Sequence, residues 1–234
     1  MAARSWKFES SPGHHLFNSL SHEVCTLKDS AETIELHRGD LPSDVSFGDS
    51  VAIDTETMGL LPERDKLCLI QLSGGDGVCH LVQVSDGNYD APNLKALLTD
   101  GKVTKIFHYA RFDVAMLHKY LGVDCQPIYC TKIASKLVRT YTDSHGLKNL
   151  CREILGIELS KAQQSSDWGA ETLSDDQIHY AALDVLYLHR LHERLDDMLA
   201  REGRTELAQA CFDFLPVRGE LDLLGWRDVD IFAH

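Results

Sequence analysis

The order of strand-like and helical patterns is the feature that most limits the folds available to this chain. From about residue 35, four short β-rich runs follow one another, separated by turn residues: IELHRG, DSVAIDTET, KLCLIQLS and GVCHLVQV. A helix (APNLKALLTD), a buried strand (VTKIFH) and a second helix (ARFDVAMLHKYLG) come next, and the remainder is mostly helical. This order predicts an α/β fold in which helices flank a mixed β-sheet with an antiparallel beginning, followed by a helical C-terminal half.

Length and composition predict a single domain. The chain has 234 residues, of which 44% are hydrophobic, enough to bury one core. Residues 1–34 mix Ser, His, Gly and Pro without a sustained period, and we expect them to form a variable N-terminal leader before a domain at 35–234. The ending CFDFLPVRGELDLLGWRDVDIFAH is apolar, and we expect it to pack on this domain or at a subunit interface.

Charge and hydropathy exclude several kinds of partner. No apolar stretch approaches the roughly 18–20 residues of a membrane helix, and the N-terminus lacks an apolar signal core, so we expect a cytoplasmic protein without membrane contact. The net charge of −13 opposes stable binding to long DNA or long RNA. Seven cysteines without a C-x-x-C pair predict reduced, buried thiols and argue against a disulfide framework or a structural zinc site.

Two acids stand at the end of an apolar run in VAIDTETMGL. Residues i and i+2 of a strand share a face, so Asp54 and Glu56 are expected to project together. Two close carboxylates need a cation between them, or one of them must hold a proton. The simpler alternative is that Asp54 caps the following turn and Glu56 pairs with Arg64 in a surface salt bridge.

Three further side chains are placed to reach the same sheet edge. Asp113 lies in the first turns of a helix that follows the buried strand VTKIF, where it can also interact with the helix N-terminus. Tyr180 and Asp184 are spaced i, i+4 in the apolar helix IHYAALDVLYL and therefore face the same way. Alone, Tyr180 fits a core tyrosine and Asp184 a hydrogen-bonded acid.

Together, the four acids predict an all-oxygen cluster that suits Mg²⁺ or Mn²⁺. Two such ions about 4 Å apart can activate a water and stabilise the leaving oxygen in phosphodiester cleavage. Tyr180, one helical turn before Asp184, would then orient the attacking water or help to deprotonate it.

The ordered motifs DTET, HYARFD and YAALD resemble the three exonuclease motifs of the DEDD superfamily in its tyrosine variant. Further segments, among them RDKLCLIQLS, CTKIASKLVRTYTDSHGLK, QQSSDW and the C-terminal ending, are similar to the bacterial NrnC family of ribonuclease-D-like enzymes over roughly residues 35 to 234. The resemblance implies a ribonuclease-H-like fold and a 3′-5′ exoribonuclease that uses two divalent ions, Mg²⁺ or Mn²⁺. It also implies a preference for 5′-phosphorylated dinucleotides and a ring-shaped homo-octamer.

Site residues follow from this resemblance position by position. Asp54, Glu56, Asp113 and Asp184 would be metal ligands, and Tyr180 would orient the water. Leu60 would be the apolar side chain that inserts between the two bases of the substrate, and nearby Met58 is the alternative candidate for this role. The remaining residues expected to line the same cleft are Thr55, Gly59, His108 and Phe112.

The 5′ phosphate requires cationic or amide donors. Lys132, Lys136 and Arg139, spaced i, i+4, i+7, are expected to form a basic stripe for it, together with Gln163, Gln164, Ser165 and Ser166. A solvated helix face and an ordinary polar loop explain the same pattern equally well. Trp168 would either stack on a base or belong to the core, and the core is favoured.

Three alternative functions remain open from the sequence. A broader ribonuclease-D-like enzyme would trim tRNA or longer single strands. A haloacid-dehalogenase-type phosphatase fits DTETMGL less well, because the second acid is Glu and the downstream motifs differ. An inactive exonuclease-like module that binds RNA or forms a ring is disfavoured, because all four acids and the tyrosine are present.

Overall fold

A seven-stranded mixed β-sheet forms the centre of the molecule. The computed structural model describes residues 23–26, 33–84, 87–159 and 166–234. Within these residues the strand order across the sheet is β1-β2-β5-β4-β3-β6-β7. The strands are β1 (Glu23–Thr26), β2 (Thr33–Arg38), β3 (Ser50–Thr57), β4 (Leu67–Ser73), β5 (Val78–Gln83), β6 (Thr104–Phe107) and β7 (Ile128–Cys130).

The pairing pattern follows from the lengths of the connections. Residues 58–66 form a loop from β3 to β4, residues 74–77 form a short turn from β4 to β5, and both pairs are antiparallel, as predicted. One helix lies between β5 and β6, and another lies between β6 and β7. The pairs β3–β6 and β6–β7 are parallel. Strand β2 pairs in parallel with β5, which the sequence did not predict.

Helices cover the sheet and fill the C-terminal half, in agreement with the predicted fold class. Pro92 lies in the first turn of the first helix, Gly122 ends the second helix with a backbone in the left-handed region, and Ser174 caps the helix that carries Tyr180 and Asp184. Strand β4 is buried along its whole length, as a central strand covered on both faces should be. The helices are α1 (Pro92–Thr99), α2 (Ala110–Leu121), α3 (Thr131–Val138), α4 (Leu147–Leu150), α5 (Asp175–Leu186), α6 (Leu188–Arg201), α7 (Thr205–Asp213) and α8 (Leu215–Leu221), with π-helical segments at Cys151–Leu155 and Asp222–Trp226.

The structure differs from the sequence prediction at three places. Strand β1, Glu23–Thr26, pairs antiparallel with β2, so the sheet begins within the segment expected to be a leader. The last long helical pattern is divided at Tyr187 into α5 and α6. Strand β7 was not predicted, because three residues carry too short a pattern.

The C-terminal segment packs partly on the domain itself. Gly219 in α8 lies so close to Ala115 of α2 that an added Cβ would stand 3.3 Å from the Ala115 backbone. The Arg111 guanidinium in α2 donates two hydrogen bonds to the Asp222 carboxylate, at 2.6 and 2.7 Å. Within the described residues, no helix is both long enough and apolar enough to cross a membrane.

Candidate active site

Strand β3 supplies the first two acids. Asp54 and Glu56 alternate with the inward-facing Ile53 and Thr55 and therefore share one face of the sheet. The pairing register with β4 shifts between Glu56 and Thr57, so regular pairing is interrupted where the acids emerge. The Arg64 side chain pairs with Asp65, with Nε 2.6 Å from Oδ1, and not with Glu56 as the simpler alternative proposed.

Helix α2 brings Asp113 to the same edge. The chain turns from β6 into α2 at Tyr109, which has φ +73° and is the one non-glycine residue with positive φ in the part of the chain described. This turn places Asp113 in the first turn of the helix, as predicted, and the structure buries its side chain. Thr55 Oγ1 donates a 2.7 Å hydrogen bond to Asp113 Oδ1 and so joins β3 to α2.

Helix α5 supplies Tyr180 and Asp184. Its start is fixed by a capping box in which the Ser174 side chain accepts from the Gln177 amide, and the Gln177 side chain accepts from the Ser174 amide. Carboxylate oxygens of Asp54, Glu56 and Asp184 all lie within 4.8 Å of one another. The sequence motifs, which are 130 residues apart at their extremes, therefore meet as predicted.

Burial and mutual repulsion make full ionisation of these acids unfavourable unless a cation is bound. Burial, followed by the charges of Asp184 and Asp113, raises the pKa of Glu56 to about 9. Burial raises the pKa of Asp113 and of Asp184 to about 7, and the pKa of Asp54 also lies well above its usual range. Carboxylates that share a site in this way fit a hard divalent cation, which offsets their charge and prefers oxygen ligands.

The acids line a cleft with a volume of about 630 Å³. Among the predicted substrate residues, Thr55, Leu60, His108, Phe112 and Lys132 also line it. Leu60 is 73% exposed and is free to contact a ligand. Further lining residues that the sequence analysis did not single out are Thr57, Tyr109, Gly146, Leu147, Lys148, Asn149, Leu159 and Leu183.

The hydrogen bonds around His108 fix which of its ring nitrogens carries the proton. The Thr131 hydroxyl donates to the Phe107 carbonyl at 3.1 Å, so its oxygen accepts a hydrogen from His108 Nδ1 at 2.9 Å. Burial and the nearby charge of Lys132 lower the pKa of His108 to about 3, so the ring is neutral. His108 Nε2 is then a buried acceptor, and no protein donor reaches it within the described residues.

The predicted basic stripe is not formed. Arg139 is only 1% exposed; it donates to the Ser144 carbonyl at 2.9 Å and pairs with Glu153. Lys132 faces the cleft, with Nζ 4.3 Å from the centre of the Tyr109 ring, whereas Lys136 is exposed and does not line the cleft. A second cleft lysine, Lys148, is the last residue of the segment SHGLK, which is part of the family resemblance but was not predicted to bind phosphate.

Trp168 is placed in the core, as the sequence favoured, whereas two other predicted contacts, Met58 and Gly59, are placed differently. Trp168 is 2% exposed, with its ring 6.2 Å from that of Tyr180, so it belongs to the core and offers no open face to a base. Met58 is exposed but points towards Gly169 instead of lining the cleft. Gly59 does not line the cleft either, since it packs against Asp65. Ser166 is half-buried in the loop before Trp168, and Gln163, Gln164 and Ser165 lie outside the described residues.

Comparison with known proteins assigns the class. A model of a 3′-5′ exonuclease family matches residues 23–200. The chain belongs to this 3′-5′ exonuclease family, and its fold is the ribonuclease-H-like fold of DEDD exonucleases that the sequence motifs predicted.

Within this class, the chain is similar to two kinds of protein. NrnC of Brucella melitensis is 58% identical, with a TM-score of 0.84 over 86% of this chain and 98% of NrnC, and NrnC bound to pGG is 57% identical with the same TM-score. RNase D of Escherichia coli is 27% identical, with a TM-score of 0.66 over 74% of this chain and 45% of that protein.

A ribonuclease D of Gluconacetobacter diazotrophicus is 37% identical over 156 residues, which is 67% of this chain. That match covers 39% of the relative, so the chain spans about two fifths of the length of the curated ribonuclease D proteins it matches. The predicted relation to ribonuclease-D-like and NrnC proteins is confirmed.

Proposed function

We propose that this protein is a metal-dependent 3′-5′ exoribonuclease that hydrolyses very short RNAs to nucleoside monophosphates, with 5′-phosphorylated dinucleotides as preferred substrates. One observation carries the proposal: three elements distant in sequence bring Asp54, Glu56, Asp113, Tyr180 and Asp184 to one cleft. The similarity to NrnC over nearly the whole NrnC chain, including the form bound to pGG, supports a short RNA as the substrate.

The four acids would hold two divalent ions, Mg²⁺ or Mn²⁺. When bound, these ions would supply activation of the attacking water and stabilisation of the leaving oxygen. Burial and the charge of Asp184 raise the pKa of Tyr180 above its usual range, so its hydroxyl stays protonated at neutral pH. Tyr180 is therefore a hydrogen-bond partner that orients the water, and the role of general base falls to another group.

The cleft offers suitable contacts for a dinucleotide. The exposed side chain of Leu60 stands at the rim, where it can separate two bases. Lys132 and Lys148 are the cleft cations that can bind phosphate oxygens, and Tyr109 offers an exposed ring. His108 Nε2 accepts a hydrogen bond, and a ribose hydroxyl is a donor that would satisfy it.

The proposal extends to assembly and location. Large apolar side chains are exposed in the C-terminal segment, which suits an interface in a homo-oligomer, for which we propose the ring-shaped octamer. With a net charge of −13 the protein would not bind long DNA stably, and we propose that it acts in the cytoplasm.

The test is hydrolysis of 5′-phosphorylated RNAs of two to seven nucleotides with Mg²⁺ or Mn²⁺. We expect release of mononucleotides, fastest from the dimer, and loss of activity by at least about a thousandfold in Asp54→Ala, because a metal ligand is removed. The matched control is Asp49→Ala, which removes an exposed acid just before the same strand. Absence of metal-dependent release at every length would refute the enzyme proposal.

Trimming of longer single-stranded RNA or tRNA 3′ ends is the second candidate, and the identity to ribonuclease D favours it. The same assay distinguishes the two. Equal rates from two to seven nucleotides would reject the dinucleotide preference and leave a ribonuclease-D-like trimming enzyme.

A further inference from the structure

A second cluster of metal-ligating side chains lies on the other face of the sheet. Glu35 and His37 are residues i and i+2 of β2, and Glu35 is the register partner of His80 in β5. The register continues from His80 to Leu72 and from Leu72 to Ile53. Because Ile53 and Asp54 point to opposite faces, Glu35, His37 and His80 lie on the face opposite to Asp54 and Glu56.

The three ligand atoms already have the spacing of a metal site. His37 Nε2 is 3.1 Å from His80 Nδ1, and Glu35 Oε2 is 3.3 Å from His80 Nδ1 and 3.9 Å from His37 Nε2. Four ligands at the usual zinc bond lengths of about 2.0–2.2 Å stand roughly 3.3–3.6 Å apart in a tetrahedron. The observed distances bracket this range, so an ion could bind with shifts of a few tenths of an ångström.

The ligand types select the metal. Two imidazoles and one carboxylate form a set that zinc uses in proteins, whereas Mg²⁺ prefers oxygen ligands alone. His37 and His80 are only 3% and 8% exposed, and the Glu35 side chain is 25% exposed, which leaves a path for an ion to enter. We propose that Glu35, His37 and His80 bind a Zn²⁺ ion, separately from the Mg²⁺ or Mn²⁺ of the exonuclease site.

The consequence of such a site would be structural. His37 and His80 are 43 residues apart in the sequence, and an ion between them would cross-link β2 to β5. Closing a segment of this length reduces the conformational freedom of the unfolded chain, so Zn²⁺ would stabilise the sheet on the side where β1 also pairs. The cysteine pattern argued against a structural zinc site, but this site uses no cysteine.

Direct hydrogen bonds among the three groups are the competing explanation, since 3.1 Å between His37 Nε2 and His80 Nδ1 is also a hydrogen-bond distance. The two explanations differ in metal affinity. A hydrogen-bonded cluster retains no zinc after dialysis, whereas a preformed site of three ligands retains about one ion per chain.

The experiment measures zinc retention and thermal stability in the full-length protein. An Asp54→Ala background in excess Mg²⁺ minimises zinc uptake at the exonuclease acids. Chelator-treated protein is loaded with Zn²⁺, dialysed, and assayed for metal content and melting temperature. We expect about one bound zinc per chain and a higher melting temperature. His80→Gln should lower the affinity for zinc by more than the roughly 10–100-fold that removal of an outer-shell partner costs, because it removes a direct ligand.

Two further variants make the result unambiguous. His118→Gln removes an exposed histidine that pairs with Asp124 and should leave zinc retention unchanged. Glu35→Gln keeps the shape of the side chain and should weaken zinc binding even if His80→Gln does not fold. The inference is overturned if the parent protein retains no zinc, if Glu35→Gln retains as much as the parent, or if Co²⁺ substituted for zinc shows sulfur ligation in its absorption spectrum.

Discussion

At the scale of single residues, the hydroxyl of Tyr180 is the group whose role can be isolated most cleanly. Tyr180→Phe removes this hydroxyl but keeps the ring that packs near Trp168. We expect kcat on a 5′-phosphorylated dinucleotide to fall by about 100-fold or more, with KM nearly unchanged, because the hydroxyl acts on the water and not on the substrate. Tyr141→Phe, at an exposed position, is the control, and an unchanged kcat in Tyr180→Phe would contradict the assigned role.

The raised pKa values of the carboxylates lead to a second prediction, which concerns the stability of the metal-free protein. In the folded protein the pKa of Glu56 is raised to about 9 and those of Asp113 and Asp184 to about 7, whereas the usual values are 4.5 and 3.8. Between these limits the folded state holds more protons than the unfolded chain, so the free energy of unfolding decreases as pH rises from about 4 to about 9. Divalent ions should reverse this decrease.

Asp54→Asn tests the electrostatic explanation directly. Without metal, we expect its melting temperature at pH 8 to exceed that of the parent protein by roughly 2–4 °C, which corresponds to about 1 kcal/mol for a chain of this length. Adding Mg²⁺ should stabilise the parent more than the variant. Asp49→Asn serves as the exposed control, and a metal-free Asp54→Asn less stable than the parent at pH 8 would show that repulsion is not the dominant effect.

At the scale of secondary-structure elements, Arg139 shows how a side chain expected at the surface becomes structural. It follows α3 directly, and its guanidinium contacts Ser135, the Ser144 carbonyl and Glu153. Arg139→Ala should lower the melting temperature by several degrees, because the Ser144 carbonyl and the space around it lose their partner. Arg152→Ala, which removes the exposed arginine that also pairs with Glu153, should have little effect. Equal effects in thermal denaturation would contradict this difference.

The elements also show what the sequence could and could not predict. The apolar alternation of β3 and the spacing of Tyr180 and Asp184 are local patterns, and they predicted the acid cluster correctly. Arg139 is buried and pairs with Glu153 in the π-helical segment Cys151–Leu155, a contact that helical spacing within α3 could not reveal, so this spacing alone suggested an exposed stripe. The division between α5 and α6 at Tyr187 involves no glycine or proline, so the sequence carried no local signal that predicted it.

At the scale of the whole molecule, the C-terminal segment combines an anchored start with an exposed apolar end. Arg111 and Arg218 donate hydrogen bonds to the Asp222 carboxylate, and from Leu224 onwards the large apolar side chains are exposed. Phe232→Glu combined with Trp226→Glu should lower the mass of the assembly in light scattering coupled to size-exclusion chromatography. Tyr141→Glu, an exposed residue elsewhere, is the control. A monomeric parent protein would contradict the proposed oligomer.

The contact between Gly59 and Asp65 restricts how the cleft rim can change over evolutionary time. A Cβ at position 59 would collide with the Asp65 carboxylate, which also accepts from the Leu61 amide at 3.0 Å and so fixes the backbone beside Leu60. A side chain at residue 59 therefore requires the Asp65 carboxylate to leave its place, and with it the hydrogen bond from the Leu61 amide, or residue 65 to be smaller. Because the same carboxylate fixes the backbone beside Leu60, we expect substitutions at positions 59 and 65 to be epistatic in their effect on the reach of Leu60.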